Sequence, residues 1–285
     1  MRELVVISGK GGTGKTTIVG SFAVLADGKV LADADVDAPN LHLLLSPESL
    51  TSEAYRGSQL AVRDNALCVR CRRCQQVCEF SAVTEEGIDA RRCEGCGTCA
   101  VVCPVGAISL LEQVTGQVHV GATRHGTLVY ARLAPGAEAT GKLVARVREV
   151  AQERAREEGA DLLLVDGSPG IGCPVIASLT GVDAALAVTE PTPSGLHDLR
   201  RVLQLAVHFR VSTAVAVNKW DLNEELAVEI EDVARELGAT PLGRIPFDEA
   251  VADATAEGVP VVEWGAGPAA RAVAALWEAL APICR

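Results

Sequence analysis

A glycine-rich loop near the start of the chain has the residue types and spacing of a phosphate-binding site. Residues 8–17 read S-G-K-G-G-T-G-K-T-T and match the P-loop pattern G-x-x-x-x-G-K-[S/T]. In such a loop, successive backbone N–H groups face a phosphate chain, and the next helix adds a partial positive charge. Lys15 would reach the β- and γ-phosphates, and the Thr16 hydroxyl would bind Mg²⁺. The residues expected to contact the nucleotide are Gly9, Gly11, Gly12, Thr13, Gly14, Lys15, Thr16 and Thr17.

Eight of the ten cysteines lie in two repeats between Cys68 and Cys103. Each repeat matches C-x₂-C-x₂-C-x₃-C, the pattern that binds [4Fe–4S] clusters in bacterial ferredoxins. Three close thiolates bind one cluster, and the fourth ligand comes from the other repeat. The predicted ligands are Cys68, Cys71, Cys74 and Cys103 for cluster I, and Cys78, Cys93, Cys96 and Cys99 for cluster II. Structural zinc is the alternative for C-x-x-C pairs, although the repeated four-cysteine pattern favours iron–sulfur clusters.

Carboxylates follow two apolar runs that read as buried strands. Residues 33–40 read D-A-D-V-D-A-P-N, so three alternating carboxylates end one predicted strand. Asp166 follows the apolar run 162–165, the arrangement in which a carboxylate holds Mg²⁺ in P-loop enzymes. Together with Thr16 and Asp35, Asp166 makes up the predicted Mg²⁺ site. A solvated acidic turn and a helix-capping aspartate are the simpler interpretations of these two stretches.

The segments that carry these residues alternate between strand and helix patterns. Apolar runs predict strands at 4–7, 29–33, 162–166, 184–189, 211–217 and 242–248, with shorter strands between 108 and 133 broken at 115–117 and 125–126. Helices are predicted at 17–26, 141–158, 222–237 and 268–282. This alternation predicts an α/β fold with a mostly parallel, doubly wound sheet. The nucleotide would lie at the carboxyl ends of the strands.

A second lysine, Lys10, lies inside the loop and gives K-G-G-T-G-K-T-T. This stretch resembles the deviant P-loop of the MinD/ParA/Mrp group of ATPases, which includes the nitrogenase iron protein. Residues 33–40 resemble the switch I of that group, and residues 166–170 resemble its switch II. The resemblance implies an ATP-dependent dimer, either a homodimer or a heterodimer with a paralogue. Lys10 would reach the nucleotide of the partner subunit.

The resemblance also implies roles for individual residues. Asp37 is expected to orient the hydrolytic water, with Asp35 as the alternative, so the predicted catalytic residues are Lys10, Lys15 and Asp37. Asn218 is expected to contact adenine. Residues 218–221 also read N-K-W-D, the guanine-recognition motif of GTPases, so GTP is the alternative nucleotide. Cys173 lies near the position of a cluster ligand in the nitrogenase iron protein, and a small buried thiol is the favoured interpretation.

The resemblance divides the chain into three segments. Residues 1–59 and 113–285 are the two parts of a P-loop ATPase domain, and residues 60–112 are an inserted α+β domain that resembles a 2[4Fe–4S] ferredoxin. The stretch 61–104 contains six arginines and six carboxylates, so the net charge of −11 resides in the remainder. Arginines near the cysteines could raise a cluster's reduction potential or bind an acidic partner. Surface charge without a function is the alternative.

Composition limits the remaining functions. A net charge of −11 argues against unspecific nucleic-acid binding. The sequence has no run of 18 strongly apolar residues and passes from Met1 straight into a predicted strand. The last helix is rich in alanine and poor in positive charge, unlike a helix that binds membrane surfaces. We therefore expect a cytoplasmic protein without a membrane span.

These observations predict a slow, partner-stimulated ATPase that binds ATP, Mg²⁺ and two [4Fe–4S] clusters. Three functions remain open at this point. The protein could be an ATP-gated electron donor, or an ATPase that assembles iron–sulfur or other metal clusters on a partner. It could also be a partitioning or scaffold ATPase with structural clusters. The expected partner is a redox protein or a cluster acceptor, and not a specific nucleic acid.

Overall fold

The computed structural model describes residues 1–138 and 140–282. The chain divides into two compact units. The first, here called the sheet unit, comprises Met1–Glu53, Val118–Leu133 and Glu138–Arg285. The second, here called the cysteine unit, comprises Ala54–Gln117 and Ala134–Ala137, and contains both cysteine repeats.

The strands form one mostly parallel sheet, as predicted. In the described part of the chain they are β1 (Arg2–Ser8), β2 (Lys29–Asp33), β3 (Glu48–Arg63), β4 (Ile108–Thr123), β5 (Gly126–Leu133), β6 (Leu162–Pro169), β7 (Ala184–Thr189), β8 (Ser212–Asn218) and β9 (Thr240–Ile245). Their order is β3-β4-β5-β2-β6-β1-β7-β8-β9. Every neighbouring pair from β5 to β9 is parallel. Parallel strands need crossover connections, which the intervening helices provide.

The four predicted helices are found, and the structure adds others, among them a long helix at Pro193–His208 that the sequence analysis did not predict. The helices of the described residues are α1 (Lys15–Leu25), α2 (Leu41–Leu45), α3 (Arg73–Gln76), α4 (Thr98–Val101), α5 (Gly141–Glu158), α6 (Cys173–Leu179), α7 (Pro193–His208), α8 (Glu224–Glu236), α9 (Ala250–Ala256), α10 (Val261–Trp264) and α11 (Pro268–Leu280). The bounds of α5 agree with the prediction because both ends are capped. The Thr140 side chain accepts a hydrogen bond from the Leu143 N–H, and Gly159 ends the helix in the left-handed conformation.

Two long strands, β3 and β4, connect the sheet unit to the cysteine unit along the chain. The predicted break at residues 115–117 is wrong, because β4 continues through Gly116. The Thr115 hydroxyl accepts a hydrogen bond from the Gly57 N–H at 3.0 Å. The Thr115 carbonyl accepts another from the Ala134 N–H at 2.9 Å. Non-local partners therefore hold this polar stretch extended, whereas the break at residues 125–126 is confirmed.

Helices cover both faces of the sheet. Leu4 and Val6 of β1 pack in the same core as Ile18 and Phe22 of α1 and Val273 of α11. Side chains alternate along a strand, so Glu3 and Val5 lie on the opposite face. Within the described residues, no helix combines the length and the apolar character needed to span a membrane.

A buried ion pair attaches α5 to the face of the sheet opposite α1. Arg148 Nε donates to Glu3 Oε1 at 2.7 Å, and Gln152 donates to the other Glu3 oxygen at 2.9 Å. Arg148 Nη1 also donates to the carbonyls of Ala177 and Thr180 at 2.5 and 2.8 Å. Both charged side chains are almost completely buried, and each has several hydrogen-bond partners.

Replacing one member of this pair should destabilise the protein strongly. We expect R148M to lower the free energy of unfolding by about 3–5 kcal/mol, because it leaves the Glu3 carboxylate buried and unpaired. The double variant E3M/R148M should recover most of that loss. Urea denaturation at pH 7 measures all three. The control is R146M on the same helix, which removes a more exposed pair with Glu53 and should cost about 1 kcal/mol or less. Equal losses in R146M and R148M would contradict the prediction.

Candidate functional site

The glycine-rich loop lies between β1 and α1, and two of its glycines meet close neighbours. A Cβ at Gly9 would approach the backbone of Asp198 to 2.7 Å. Gly14 has φ 93°, and a Cβ there would overlap the side-chain amide of Asn218. Gly12 also has a left-handed φ of 80°. The loop therefore needs glycine for both conformation and space.

Asn218 holds the loop in place from the carboxyl end of β8. Its Nδ2 donates to the Thr13 carbonyl at 2.9 Å, and its Oδ1 accepts from the Lys219 N–H at 3.0 Å. The predicted contact between Asn218 and adenine stays a prediction. In the same motif, Asp221 Oδ1 accepts a hydrogen bond from the Phe247 N–H at 2.7 Å. One oxygen of the carboxylate that would recognise guanine is thus engaged by the backbone.

The predicted Mg²⁺ residues meet where β6 ends beside α1. Thr16 Oγ1 donates to Asp166 Oδ2 at 2.6 Å. The other oxygen, Asp166 Oδ1, is buried without a hydrogen-bond partner among the described residues. A buried carboxylate oxygen left unpaired beside a threonine hydroxyl is the donor set that a hard divalent cation requires. Thr16 and Asp166 therefore fit a Mg²⁺ ion.

Burial controls the protonation of Asp166. It raises the pKa of Asp166 to about 6, although the positive charge of Lys15 and the hydrogen bond from Thr16 act in the opposite direction. Burial also raises the pKa of Asp35, and Lys15 again opposes the shift. Lys15 itself is buried. One buried ammonium thus lies near two carboxylates, an arrangement suited to a bound cation or phosphate.

Asp33 is a site residue that sequence reasoning missed. It pairs in register with Asp166 on adjacent strands and is completely buried. Its carboxylate accepts hydrogen bonds from the N–H groups of Asp35 at 3.1 Å and Leu41 at 3.0 Å. Burial, and then the nearby Asp166 charge, raises the pKa of Asp33 well above its usual range. Asp33 therefore shapes the stretch 34–40, and its place as first of three alternating aspartates was the available signal.

Hydrogen bonds join the end of β1, the loop after β2 and the end of β6. The Ala34 N–H donates to the Asp166 carbonyl at 2.8 Å, and Ser168 Oγ donates to the Ala34 carbonyl at 2.6 Å. The Gly170 N–H donates to the Ser8 carbonyl at 2.9 Å. The stretches that resemble switch I and switch II are therefore hydrogen-bonded to each other and to the strand that precedes the P-loop.

A cavity of about 670 Å³ opens between these loops. Its lining includes Gly11, Gly12, Gly14, Lys15, Thr16, Thr17, Asp35, Asp37, Asn40 and Ser168. Asp37 is exposed, and Asp35 is half-buried. The structure thus brings most of the predicted nucleotide and Mg²⁺ residues to one cavity, with both candidate water-orienting aspartates on its wall.

Lys10 lies over the loop that follows β7. Its Nζ is 3.6 Å from Glu190 Oε2 and 3.4 Å from the hydroxyls of Thr192 and Ser194. Glu190 also pairs with Lys219 at 2.7 Å, so one carboxylate holds two lysines. Sequence reasoning missed Glu190. It follows a strand adjacent to β1, and the carboxyl ends of neighbouring parallel strands meet, which was the available signal.

The first predicted cysteine set meets in the cysteine unit. Cys68, Cys71, Cys74 and Cys103 line one small cavity, although Cys103 belongs to the second repeat. The Ala107 N–H donates to Cys103 Sγ at 3.2 Å. Among the described residues, no three His, Cys, Asp or Glu side chains are grouped closely enough for a single metal ion. A cubane differs from a single ion because each thiolate binds a different iron, so the four sulfurs surround the cluster at a distance from one another.

Most of the second predicted set packs on a small core. Cys99 is buried in this core with Ala61, Val83 and Ile108, and Cys78 and Cys93 pack against it. The Ala82 N–H donates to Cys78 Sγ at 3.3 Å, which matches the bond from Ala107 to Cys103 in the other repeat. Cys96 is exposed. N–H···S bonds of this kind are among the interactions that adjust cluster potentials.

Cys173 lies apart from both sets, in the sheet unit. The interpretation of Cys173 as a small buried thiol is wrong, because the residue is exposed. It is the first residue of α6, and the side of that helix facing the core carries Val175, Ser178 and Leu179. Nothing in its local sequence indicates which side of the helix it occupies.

The P-loop, the hydroxyl–carboxylate pair and the parallel sheet define a P-loop nucleotide-binding protein. Residues 4–261 match the CobQ/CobB/MinD/ParA nucleotide binding domain. The chain therefore belongs to that family. The septum site-determining protein MinD from Pyrococcus horikoshii OT3, solved with Mg-ADP, has the same fold. It aligns with a TM-score of 0.61 at 18% identity, covering 100% of this chain and 98% of that structure.

Three relatives have similar sequences. An uncharacterized protein of Methanocaldococcus jannaschii is 34% identical over 226 residues, which cover 78% of this chain and 79% of the relative. An iron–sulfur cluster carrier protein of the same organism is 23% identical over 279 residues, covering 91% and 77%. The ferredoxin-type protein NapF of Escherichia coli K12 is 36% identical over 78 residues, covering 22% and 48%.

The raised pKa of Asp166 predicts a pH-dependent stability difference. Between the usual value of 3.8 and about 6, the unfolded chain releases a proton that the folded protein retains. The wild type therefore loses stability as the pH rises through this range. We expect D166N to be more stable than the wild type by on the order of 2–3 kcal/mol above pH 6, and equally stable below pH 4. Urea denaturation of both proteins at pH values across this range measures the difference in stability.

The exposed neighbour Asp37 supplies the control for this measurement. D37N removes an exposed carboxylate from the same cavity and leaves the buried Asp166 carboxylate in place, so its stability profile serves as the baseline. A D166N difference that is independent of pH, or one that shrinks above pH 6, would contradict the assigned burial of the Asp166 charge.

Proposed function

We propose that this chain is an ATP-hydrolysing iron–sulfur protein whose nucleotide cycle controls electron transfer through two [4Fe–4S] clusters. One observation carries the iron–sulfur part of the proposal. Four cysteines from both repeats, Cys68, Cys71, Cys74 and Cys103, line a single cavity. The family and the geometry of the P-loop cavity support the nucleotide part.

In the sheet unit, the chain's own residues account for nucleotide binding. The N–H groups of the P-loop would bind the phosphate chain, and Lys15 would offset its negative charge. Thr16 and Asp166 would hold Mg²⁺, which supplies positive charge to the β- and γ-phosphates when it is bound. Asp37 would orient the attacking water, and Asp35 is the alternative. With few groups that act as acid or base, hydrolysis should be slow and should depend mainly on positioning.

In the cysteine unit, each cluster would have ligands from both repeats. Cys68, Cys71, Cys74 and Cys103 would bind cluster I, and Cys78, Cys93, Cys96 and Cys99 would bind cluster II. When bound, [4Fe–4S] clusters accept and release single electrons. The backbone N–H groups of Ala82 and Ala107 would stabilise the reduced state through their bonds to cysteine sulfur.

Chain connectivity supports coupling between the two functions. The stretch 33–40 is followed by α2 and then by β3, which continues into the cysteine unit. The return strand β4 leads through β5 and α5 to β6, which contains Asp166. In chain order, β3 and β4 therefore lie between the stretch 33–40 and Asp166 of the nucleotide site. A change at the nucleotide could thus alter the cysteine unit, or its contact with a partner protein.

Cluster assembly on a partner is the second candidate function. The similarity to an iron–sulfur cluster carrier protein over 91% of this chain favours it. Lability separates the two candidates: a cargo cluster should pass to a chelator, whereas an electron-transfer cluster should resist the chelator and be reduced reversibly. ATP is the proposed nucleotide instead of GTP because the P-loop with Lys10 and both switch-like stretches resemble those of ATPases. The low content of basic residues argues against the third class, a partitioning or scaffold ATPase with structural clusters.

Cluster content and nucleotide response test the proposal directly. We expect the anaerobically purified wild type to contain two [4Fe–4S] clusters, and C68A to lose about half of the iron and sulfide because one ligand set is broken. C173A, which removes an exposed thiol outside both sets, should retain all of it. In the dithionite-reduced protein, ATP·Mg²⁺ should change the cluster EPR spectrum. K15A should keep the clusters and lose the response. An unchanged wild-type spectrum, with the physiological partner present, would overturn the coupling.

Glu190 provides a test of the proposed dimer. It pairs with Lys10 within the same chain, so Lys10 must leave Glu190 to reach a partner's nucleotide. We expect E190Q to weaken this pair and to shift the monomer–dimer equilibrium in ATP·Mg²⁺ toward the dimer, by about two- to fivefold. Sedimentation velocity measures the shift. K10A should remain monomeric, and E263Q, far along the chain, should resemble the wild type. Weaker dimerisation of E190Q would contradict the role of Lys10.

A further inference from the structure

The first cysteine repeat contains three side chains on left-handed backbone. Arg70 has φ 55°, Arg72 has φ 61° and Ser81 has φ 51°. Arg70 and Arg72 flank Cys71, and Ser81 follows Cys78 by three residues. Side chains with a Cβ disfavour this conformation, which glycine adopts readily.

The second repeat has glycine at each matching position. Gly95, Gly97 and Gly106 have φ values of 64°, 79° and 63°. They stand at the same distances from their own cysteines as Arg70, Arg72 and Ser81 do from theirs. The backbone of the two repeats is thus the same, and glycine suits it better. Arginine at residues 70 and 72 therefore lowers folding stability, and residues on such backbone cluster at functional sites.

Contacts within the chain do not explain why Arg70 and Arg72 are arginines. Arg70, Arg72 and Arg73 are exposed. Arg72 pairs with Glu85, but both side chains are about two-thirds exposed, and such pairs add little stability. In the described residues, no carboxylate lies within ion-pairing distance of Arg70 or Arg73. Arg63 differs, because it donates to Asn65 and to two backbone carbonyls.

Apolar side chains lie beside the same cysteines. Val69 and Val105 line the cavity of Cys68, Cys71, Cys74 and Cys103, and they are 60% and 42% exposed. Leu67 is 54% exposed. An apolar centre with an arginine-rich rim is the composition of a protein-binding surface. The second repeat lacks this rim, since Glu94 stands beside Gly95, and Arg91 and Arg92 pair with Asp89.

We propose that the surface formed by Val69, Val105, Arg70, Arg72 and Arg73 is a docking surface for an acidic partner protein. Glu85 and Glu86 lie in one cavity with Arg70 and Arg72, and Glu85 pairs with Arg72. Arg70 and Arg73 remain without a carboxylate at ion-pairing distance among the described residues, and charge complementarity with these arginines identifies an acidic partner. A nucleic acid fits less well, because the exposed valines offer an apolar contact that a protein surface can use and a phosphate backbone cannot. The further claim that this partner exchanges electrons at cluster I rests on the proposed function. The claim that an acidic partner binds this surface does not depend on the proposed function.

A charged peptide tests the docking surface on the full-length chain. The probe is decaglutamate labelled with tetramethylrhodamine, titrated by fluorescence anisotropy at about 20 mM ionic strength, where screening is weak. We expect the wild type to bind it and to release it at about 200 mM salt. R70G/R72G, which adopts the glycines of the second repeat, should raise the Kd at least about tenfold. The melting temperature of R70G/R72G should not fall, because glycine adopts the left-handed backbone conformation without strain. R70K/R72K should bind nearly as the wild type does.

The matched control is R91G/R92G, which removes two charges beside the second cysteine set and should change the Kd by less than about twofold. Equal weakening in the two glycine variants, or no binding by the wild type at low salt, would overturn the proposal. So would tighter binding of a ten-residue thymidine oligonucleotide than of decaglutamate. Iron and sulfide analysis of the same samples reports cluster formation separately. The absence of iron and sulfide would overturn the proposed function. The peptide titration would still test whether the docking surface binds an acidic partner.

Discussion

The buried carboxylate of Asp166 is the constraint on which the nucleotide site depends. Its single hydrogen bond from Thr16 connects the P-loop helix to the end of β6. The adjacent Asp33 lies equally deep and holds the N–H groups of the next loop. Burial disfavours the ionised form of both carboxylates, and Lys15 opposes this effect at Asp166. A bound cation would favour the ionised form, so the site is suited to receive one.

In the cysteine unit, the constraint is the small size of the hydrophobic core. This core has four buried residues and several half-buried cysteines around them. A core of this size stabilises a domain weakly, so the proposed clusters would supply much of the missing stability through their bonds to the chain. Ligands taken from both repeats would tie the two halves together. The same cysteines would thus serve folding and electron transfer.

Several residues of this chain are better explained by function than by their contribution to local stability. Arg70 and Arg72 occupy backbone that suits glycine. Lys10 shares one carboxylate with Lys219, a pairing that ties the proposed trans-acting lysine to its own subunit. By contrast, Arg148 and Glu3 are fully paired and lie away from either site. The contrast separates residues that hold the sheet unit together from residues that must remain available to a ligand or partner.

Local pattern was sufficient for much of this protein. The P-loop, the strand that carries Asp166 and both cysteine repeats could be identified from spacing, because phosphate-binding turns and metal-ligand motifs place particular residues at particular intervals. The end of that strand was not identified, since β6 continues past Asp166 to Pro169. Contacts between distant segments could not be read this way. Asp33 and Glu190 became site residues only because parallel strands bring their carboxyl ends together. Thr115 continues a strand because of partners at Gly57 and Ala134, and Cys173 proved exposed. The sequence alone determined which groups could do chemistry. The tertiary structure decided which of them are buried, paired or accessible, since burial and pairing arise from residues far apart in the chain.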